Sequence, residues 1–261
     1  MFLALGVGSM QVAWLLLTAG QIALLARLWH QKLLSTYKFF SLYLLADLLH
    51  SGVLYLLGNP NTEIYAWFYV ASEPVLATLR VLVLVELYRL VLRDYAGLAT
   101  FGRWALTASL AASFVIGFLS VYPHLGSTDP YPVLLSLSHF QRLVYSALLL
   151  FILFISGFLI WFPVPLSRNT VVHTVLFAVY FSVSAVLVLL RFVAGPEIIR
   201  LLSTIWLAGR GLCILGWVFL LTRKGEKKSV VFGHQWRPHD GEQLIGQLQA
   251  INAVLLRAAR K

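Results

Sequence analysis

Asp47, Glu73, Arg80 and Arg210 are ionisable side chains set inside stretches built otherwise of leucine, valine and aromatic residues. The chemistry open to them is charge pairing. A guanidinium can hold a carboxylate through two parallel hydrogen bonds. Either charge left alone near the centre of a membrane helix costs about 2.5–3.5 kcal/mol. Two acids facing two bases would remove that cost, so the helices that carry them are expected to be neighbours. Spacing adds detail. Glu73 and Arg80 are separated by nearly two helical turns and project the same way, with Tyr69 on their face. Tyr43, Asp47 and His50 recur at i, i+4 and i+7 and form a second polar stripe. His50 and Arg142 lie further from the middle, as do His139 and Arg191, and make that half of the molecule positive. The candidate ligand-binding or intramembrane polar cluster is therefore Asp47, His50, Glu73, Arg80, Arg142 and Arg210. Its surplus arginines would favour an anionic small ligand such as a carboxylate. The competing reading gives the charges a structural task only, that of fixing helix register.

The elements that must position these residues are membrane helices. The chain has 261 residues, of which 60% are hydrophobic and 11% charged, too little polar surface for a soluble protein of this size. Several apolar stretches reach the ~20 residues that a spanning helix needs. The alternating ten-residue pattern of a β-barrel is absent. The fold class is all-α, a polytopic bundle of seven transmembrane helices over residues 7–29, 37–57, 64–92, 104–122, 137–162, 171–193 and 198–221. The first stretch is too long for a signal-peptide core and reads as a retained span. Lys and Arg gather in the first, third and fifth connections and in the tail, while the second and fourth have none. By the positive-inside rule the N-terminus is outside and the C-terminus cytoplasmic. The same distribution accounts for the net charge of +10 without nucleic acid. In the third span Pro74 frees a carbonyl one turn earlier and permits a kink. At its far end, Glu86 and Arg89 read as a local i, i+3 ion pair.

Residues 1–222 form the bundle and 223–261 a basic cytoplasmic tail. The tail begins with the run RKGEKK and ends in an amphipathic helix at about 240–260. Leu244, Leu248, Ile251, Leu255 and Ala258 recur at a/d spacing. Two heptads are too short to stand alone. The helix therefore covers its apolar face on the inner leaflet, on the bundle, or against a second copy or partner protein.

Several chemistries lack their residues. No lysine sits in the middle of a span to hold a retinal-type Schiff base. No HExxH, P-loop or GxSxG pattern occurs, and the histidines are scattered. No catalytic residue, metal ligand or cofactor is assigned. Cys213, the single cysteine, lies in an apolar helix and reads as packing.

The runs TYKFFSLYLLADLL, YAWFYVASE and VELYRLVLRDYAGLATFGR resemble a bacterial family of seven-helix membrane proteins of unknown function. The likeness covers residues 37–103 and extends weakly through Arg142, Arg210 and the tail. It implies a seven-span fold in a bacterial inner membrane and no chemistry. The reading of the whole chain is an integral membrane protein that senses or binds a small extracytoplasmic ligand and signals through its tail helix. The alternative is a small-solute transporter or channel, with Glu86 extending a polar path inward. An intramembrane enzyme would have Glu73 and His50 as its acid–base pair.

Overall fold

In hydrocarbon every backbone amide must find its partner within the chain, and a helix achieves this with local bonds alone. The long apolar runs fold accordingly. The computed structural model describes residues 7–58, 62–92, 95, 100, 104, 107, 111, 132–161, 165–193, 196–231 and 238–258. Its long helices are α1 (Val7–His30), α2 (Lys38–Leu57), α3 (Glu63–Val91), α4 (Pro132–Trp161), α5 (Arg168–Val193) and α6 (Pro196–Leu220). A short strand β1 (Pro165–Ser167) precedes α5. After α6 come α7 (Arg223–Lys227), β2 (Ser229–Val231) and α8 (Pro238–Ala258). Among the described residues six helices, α1 to α6, are long and apolar enough to cross a bilayer. The expected span at 104–122 falls almost wholly outside the described residues.

The six helices close into a ring. Each packs on the next in chain order, α6 returns to α1, and α3 also touches α5 across the middle. The ring is apolar outside and polar at selected points inside. Leu150, Phe154, Leu212 and Phe219 are each at least two-thirds exposed. Gln21, Asp47, Glu73, Arg80, His173 and Ser184 are buried. Such a surface suits lipid, because exposed apolar patches of this extent would drive association in water.

Turn chemistry fixes how neighbours meet. The α1–α2 turn is a Schellman motif, with Leu33 N–H donating to Leu28 O at 2.9 Å and Lys32 N–H to Trp29 O at 2.9 Å. Lys32 holds the left-handed position at φ 57°, which glycine usually takes. The accompanying contact is apolar, with Leu28 and Leu33 both in the buried core.

The first turn of α2 is capped from another helix. The Glu86 carboxylate on α3 accepts the N–H groups of Phe39 and Phe40, each at 3.1 Å. This corrects the expected Glu86–Arg89 pair. Three-residue spacing allows that pair, but α2 offers free amides and the positive end of its dipole, a stronger claim on a half-buried carboxylate. The second unforeseen element is the antiparallel β1–β2 pairing, Pro165 with Val231 and Ser167 with Ser229. It ties the break after α4 to the chain beyond α7. In α8 the buried face keeps the seam positions Leu244, Leu248 and Leu255 but not Ile251. Leu248 is 1% exposed and joins the core, whereas Ile251 is 47% exposed.

Replacing Glu86 with Ala leaves two amides of α2 without a partner and should cost about 1–2 kcal/mol of stability. Arg89→Ala should be near neutral. Thermal unfolding of the two variants in detergent distinguishes the cap from a local ion pair.

Candidate functional site

The interior charges meet in pairs. Asp47 on α2 forms an ion pair with Arg210 on α6, one guanidinium nitrogen against Oδ2. The same Oδ2 accepts a hydrogen bond from Gln21 Nε2 on α1. Asp47 is thus held from two helices and is 2% exposed. α6 packs mainly on α1 and α5, so it reaches α2 by the length of the arginine side chain rather than by broad helix contact. The expected adjacency of the helices bearing Asp47, Glu73 and Arg210 therefore holds for α2 and α3, and α6 joins them through one side chain. Gly209 lets α5 come close, since a Cβ there would lie 3.2 Å from Val183 Cγ1.

Glu73 and Arg80 pair within α3 at 2.7 Å, across nearly two turns. Arg80 also sits over two tyrosine rings, 5.3 Å from the Tyr145 centroid and 5.8 Å from that of Tyr43. Such cation–π contacts are worth most where water is excluded. The Tyr43 hydroxyl lies 3.3 Å from that of Tyr180 on α5 and within electrostatic reach of both Arg80 and Arg210. Tyr43 is therefore the group that joins the two ion pairs. Arg210 in turn lies 5.3 Å over the Trp206 ring.

His50 stands at the edge of this cluster. Its ring stacks on Phe68 at 5.7 Å and leans on Tyr69 at 6.0 Å, and its buried Nδ1 has no partner. The Tyr69 hydroxyl accepts from Gln141 Nε2 at 3.0 Å. Glu73 accepts its hydrogen bond from Arg80, and among the described residues none joins it to His50. Arg142 lies on α4, but its side chain falls outside the described residues, as do those of His139 and Arg191. Among the described residues the mid-helix charges cancel one for one. Beyond Arg80, towards Glu86, the α3 interior is closed by buried Val83, Leu84 and Leu87. Among the described residues no group of His, Cys, Asp and Glu could hold a metal.

A second polar network lies where α6 ends. Thr222 caps α7 by accepting Gly225 N–H at 3.1 Å. Asn169, at the start of α5, donates to Thr222 O at 2.8 Å and to Glu226 Oε1 at 2.9 Å. It also accepts Thr222 N–H at 3.3 Å. The Tyr37 hydroxyl, just before α2, donates to the same Glu226 oxygen. Gly225 is obligatory in this clasp, because a Cβ would fall 2.1 Å from Asn169 Oδ1. Sequence reasoning passed over Asn169, Thr222 and Glu226. One signal was available: Glu226 is the single acid in the run RKGEKK. Behind the clasp His173 is buried against Tyr37, at 4.3 Å between centroids, and against Phe40 and Phe177.

Comparison with known proteins adds nothing to this geometry: no family model, no curated protein and no solved structure matches the chain.

Removing one member of the Asp47–Arg210 pair should cost about 3–5 kcal/mol, because the other charge stays buried alone. Asp47→Leu together with Arg210→Leu should recover most of that. A double-mutant cycle by thermal unfolding in lipid nanodiscs measures the coupling, expected at about 1–3 kcal/mol.

Proposed function

We propose that this chain is a multi-pass sensor that binds a small ligand at its interior polar cluster and reports occupancy through its tail. The full reading has seven spans, the N-terminus outside, the C-terminus cytoplasmic, and a bacterial inner membrane as its location. The resemblance to the bacterial seven-helix family belongs to the same proposal, as does a homodimer or partner protein docked on α8. The observation that carries the relay is the continuity of α6. Arg210 sits near its middle, and the helix runs unbroken to Leu220. Thr222 and Glu226 follow at once, and they are fastened to the starts of α2 and α5. A ligand that loosens Arg210 from Asp47 shifts α6 and loads that clasp. A ligand must differ in affinity between two states to do this, and a buried ion pair that can exchange partners supplies such a difference.

A carboxylate ligand would need Arg142 as its counter-charge, since the described charges already cancel. Transport has less support. Glu86 is committed to the amides of Phe39 and Phe40 rather than to a polar path.

The relay is tested with a spin label on the exposed face of α8, at Gln249→Cys in a Cys213→Ser background. Arg210→Leu should raise the mobility of the label about severalfold, as release of a docked segment does. The lipid-facing Leu150→Ala should leave it unchanged. A folded Arg210→Leu protein with an unmoved tail would remove the relay. If Arg210→Leu and Arg80→Leu both fail to accumulate as folded protein, the charges are structural.

A further inference from the structure

Several helical hydroxyls in this protein return their hydrogen bond to the carbonyl one turn back. Thr18, Ser41, Ser72, Thr78, Ser156 and Thr174 all do so, at 2.7 to 3.0 Å. Ser184 does not. It is 1% exposed, and its Oγ is the buried hydroxyl without a partner among the described residues. A buried hydroxyl gives up water when the chain folds and needs a replacement. Ser184 lines a narrow, closed cleft between α5 and α6, together with Tyr180, Val183, Trp206, Gly209 and Arg210. In its closed form the cleft has no room for water, so a solvent molecule does not explain the missing bond.

The position of the cleft says what could enter it. Ser184 and Arg210 lie near the middles of their helices. The outward residues around them, Val179, Val186, Ile205 and Leu212, are apolar and 44% or more exposed. Entry at this depth is from the bilayer rather than from water. A closed cleft of this kind could admit no more than a head group, and only after a lining side chain moves. The chain of such a ligand would remain in lipid along the α5–α6 groove. Charge completes the description. Arg210 is neutralised by Asp47, and Glu73 by Arg80, so the cleft has no spare charge for an ion. What it offers is the Ser184 hydroxyl and the guanidinium edge, both able to donate to an uncharged oxygen.

We infer that the α5–α6 cleft is a lateral binding site for a neutral lipid-soluble amphiphile whose head carries a carbonyl or ether oxygen. The inference rests on the reading that a ligand acts at the Asp47–Arg210 pair, and it names the class of that ligand. Binding requires the Trp206 side chain, which lies beneath Arg210, to turn aside.

The test uses the full chain in phosphatidylcholine nanodiscs. The probe is a monoacylglycerol with a diazirine and an alkyne on its acyl chain, and the control is the fatty acid of the same chain. After photolysis the label should map to the α5 segment around Ser184 and the α6 segment around Arg210. Excess unlabelled monoolein should compete it away. Ser184→Val, which fills the cleft, should lower labelling about fivefold or more, and Ser184→Ala should lower it by less. Ser156→Val, whose hydroxyl is already bonded, should label as the parent does. Labelling spread evenly over all lipid-facing helices would overturn the proposal. So would labelling indifferent to both Ser184 variants, or a fatty acid that labels the cleft better than the monoacylglycerol. Absent labelling with a tail still freed by Arg210→Leu defeats this proposal alone. A tail that ignores Arg210→Leu defeats the relay, and the labelling still decides the cleft.

Discussion

Ionised groups cannot be left alone inside an apolar ring, and the core of this protein is arranged around that constraint. Asp47 is the most demanding case. It sits in the middle of α2, and Arg80 on the next helix is paired with Glu73 instead. Gln21 and Arg210 meet it from α1 and α6, the two helices whose contact closes the ring. The ion pair is therefore also the closure. Burying a salt bridge adds little net stability, but breaking one is costly, so the pair specifies which helices meet more than it strengthens their meeting.

The two polar centres are built on different terms. The mid-helix cluster is neutral among the described residues and shielded by tyrosine and tryptophan rings. The network at the end of α6 is made of single hydrogen bonds between a loop, a cap and a lone acid. Neutral hydrogen bonds are worth about 0.5–1.5 kcal/mol each and those to the Glu226 carboxylate about 1.5–3, against about 3–5 kcal/mol for breaking a buried ion pair. The network at the end of α6 is then the softer of the two. Motion generated at the first would be felt at the second, because α6 belongs to both.

Much of this was legible in the sequence where the physics is local or unconditional. Stretches of twenty apolar residues have one structural outcome in lipid, so the long helices could be read directly. The cost of an unpaired charge likewise implied that acids would meet bases. Which acid met which base depended on the ring closing through α6, and no spacing rule carries that. Glu86 shows the limit most clearly. Three-residue spacing pointed to Arg89, while the open amides of α2 lay 47 residues away in the chain. In α8, a two-heptad pattern fitted more than one face, and the bundle chose the one centred on Leu248. Asn169 and Thr222 belong to no periodic pattern at all. They became partners only because α5 and α6 are antiparallel neighbours whose ends coincide.

The arrangement around Asp47 has a bearing on how the chain is made. Glu73 and Arg80 lie on one helix and can enter the bilayer already neutralised by each other. Asp47 has no such company. Its counter-ion lies 163 residues further along the chain, in the last of the six helices to be synthesised. Throughout that interval the carboxylate must be tolerated in a half-built bundle, and Gln21, synthesised before it, is a neighbour that hydrogen-bonds it. The amide is thus a placeholder in time as well as a ligand in space. Arrival of Arg210 converts a provisional contact into the final one and marks the point at which the ring is complete.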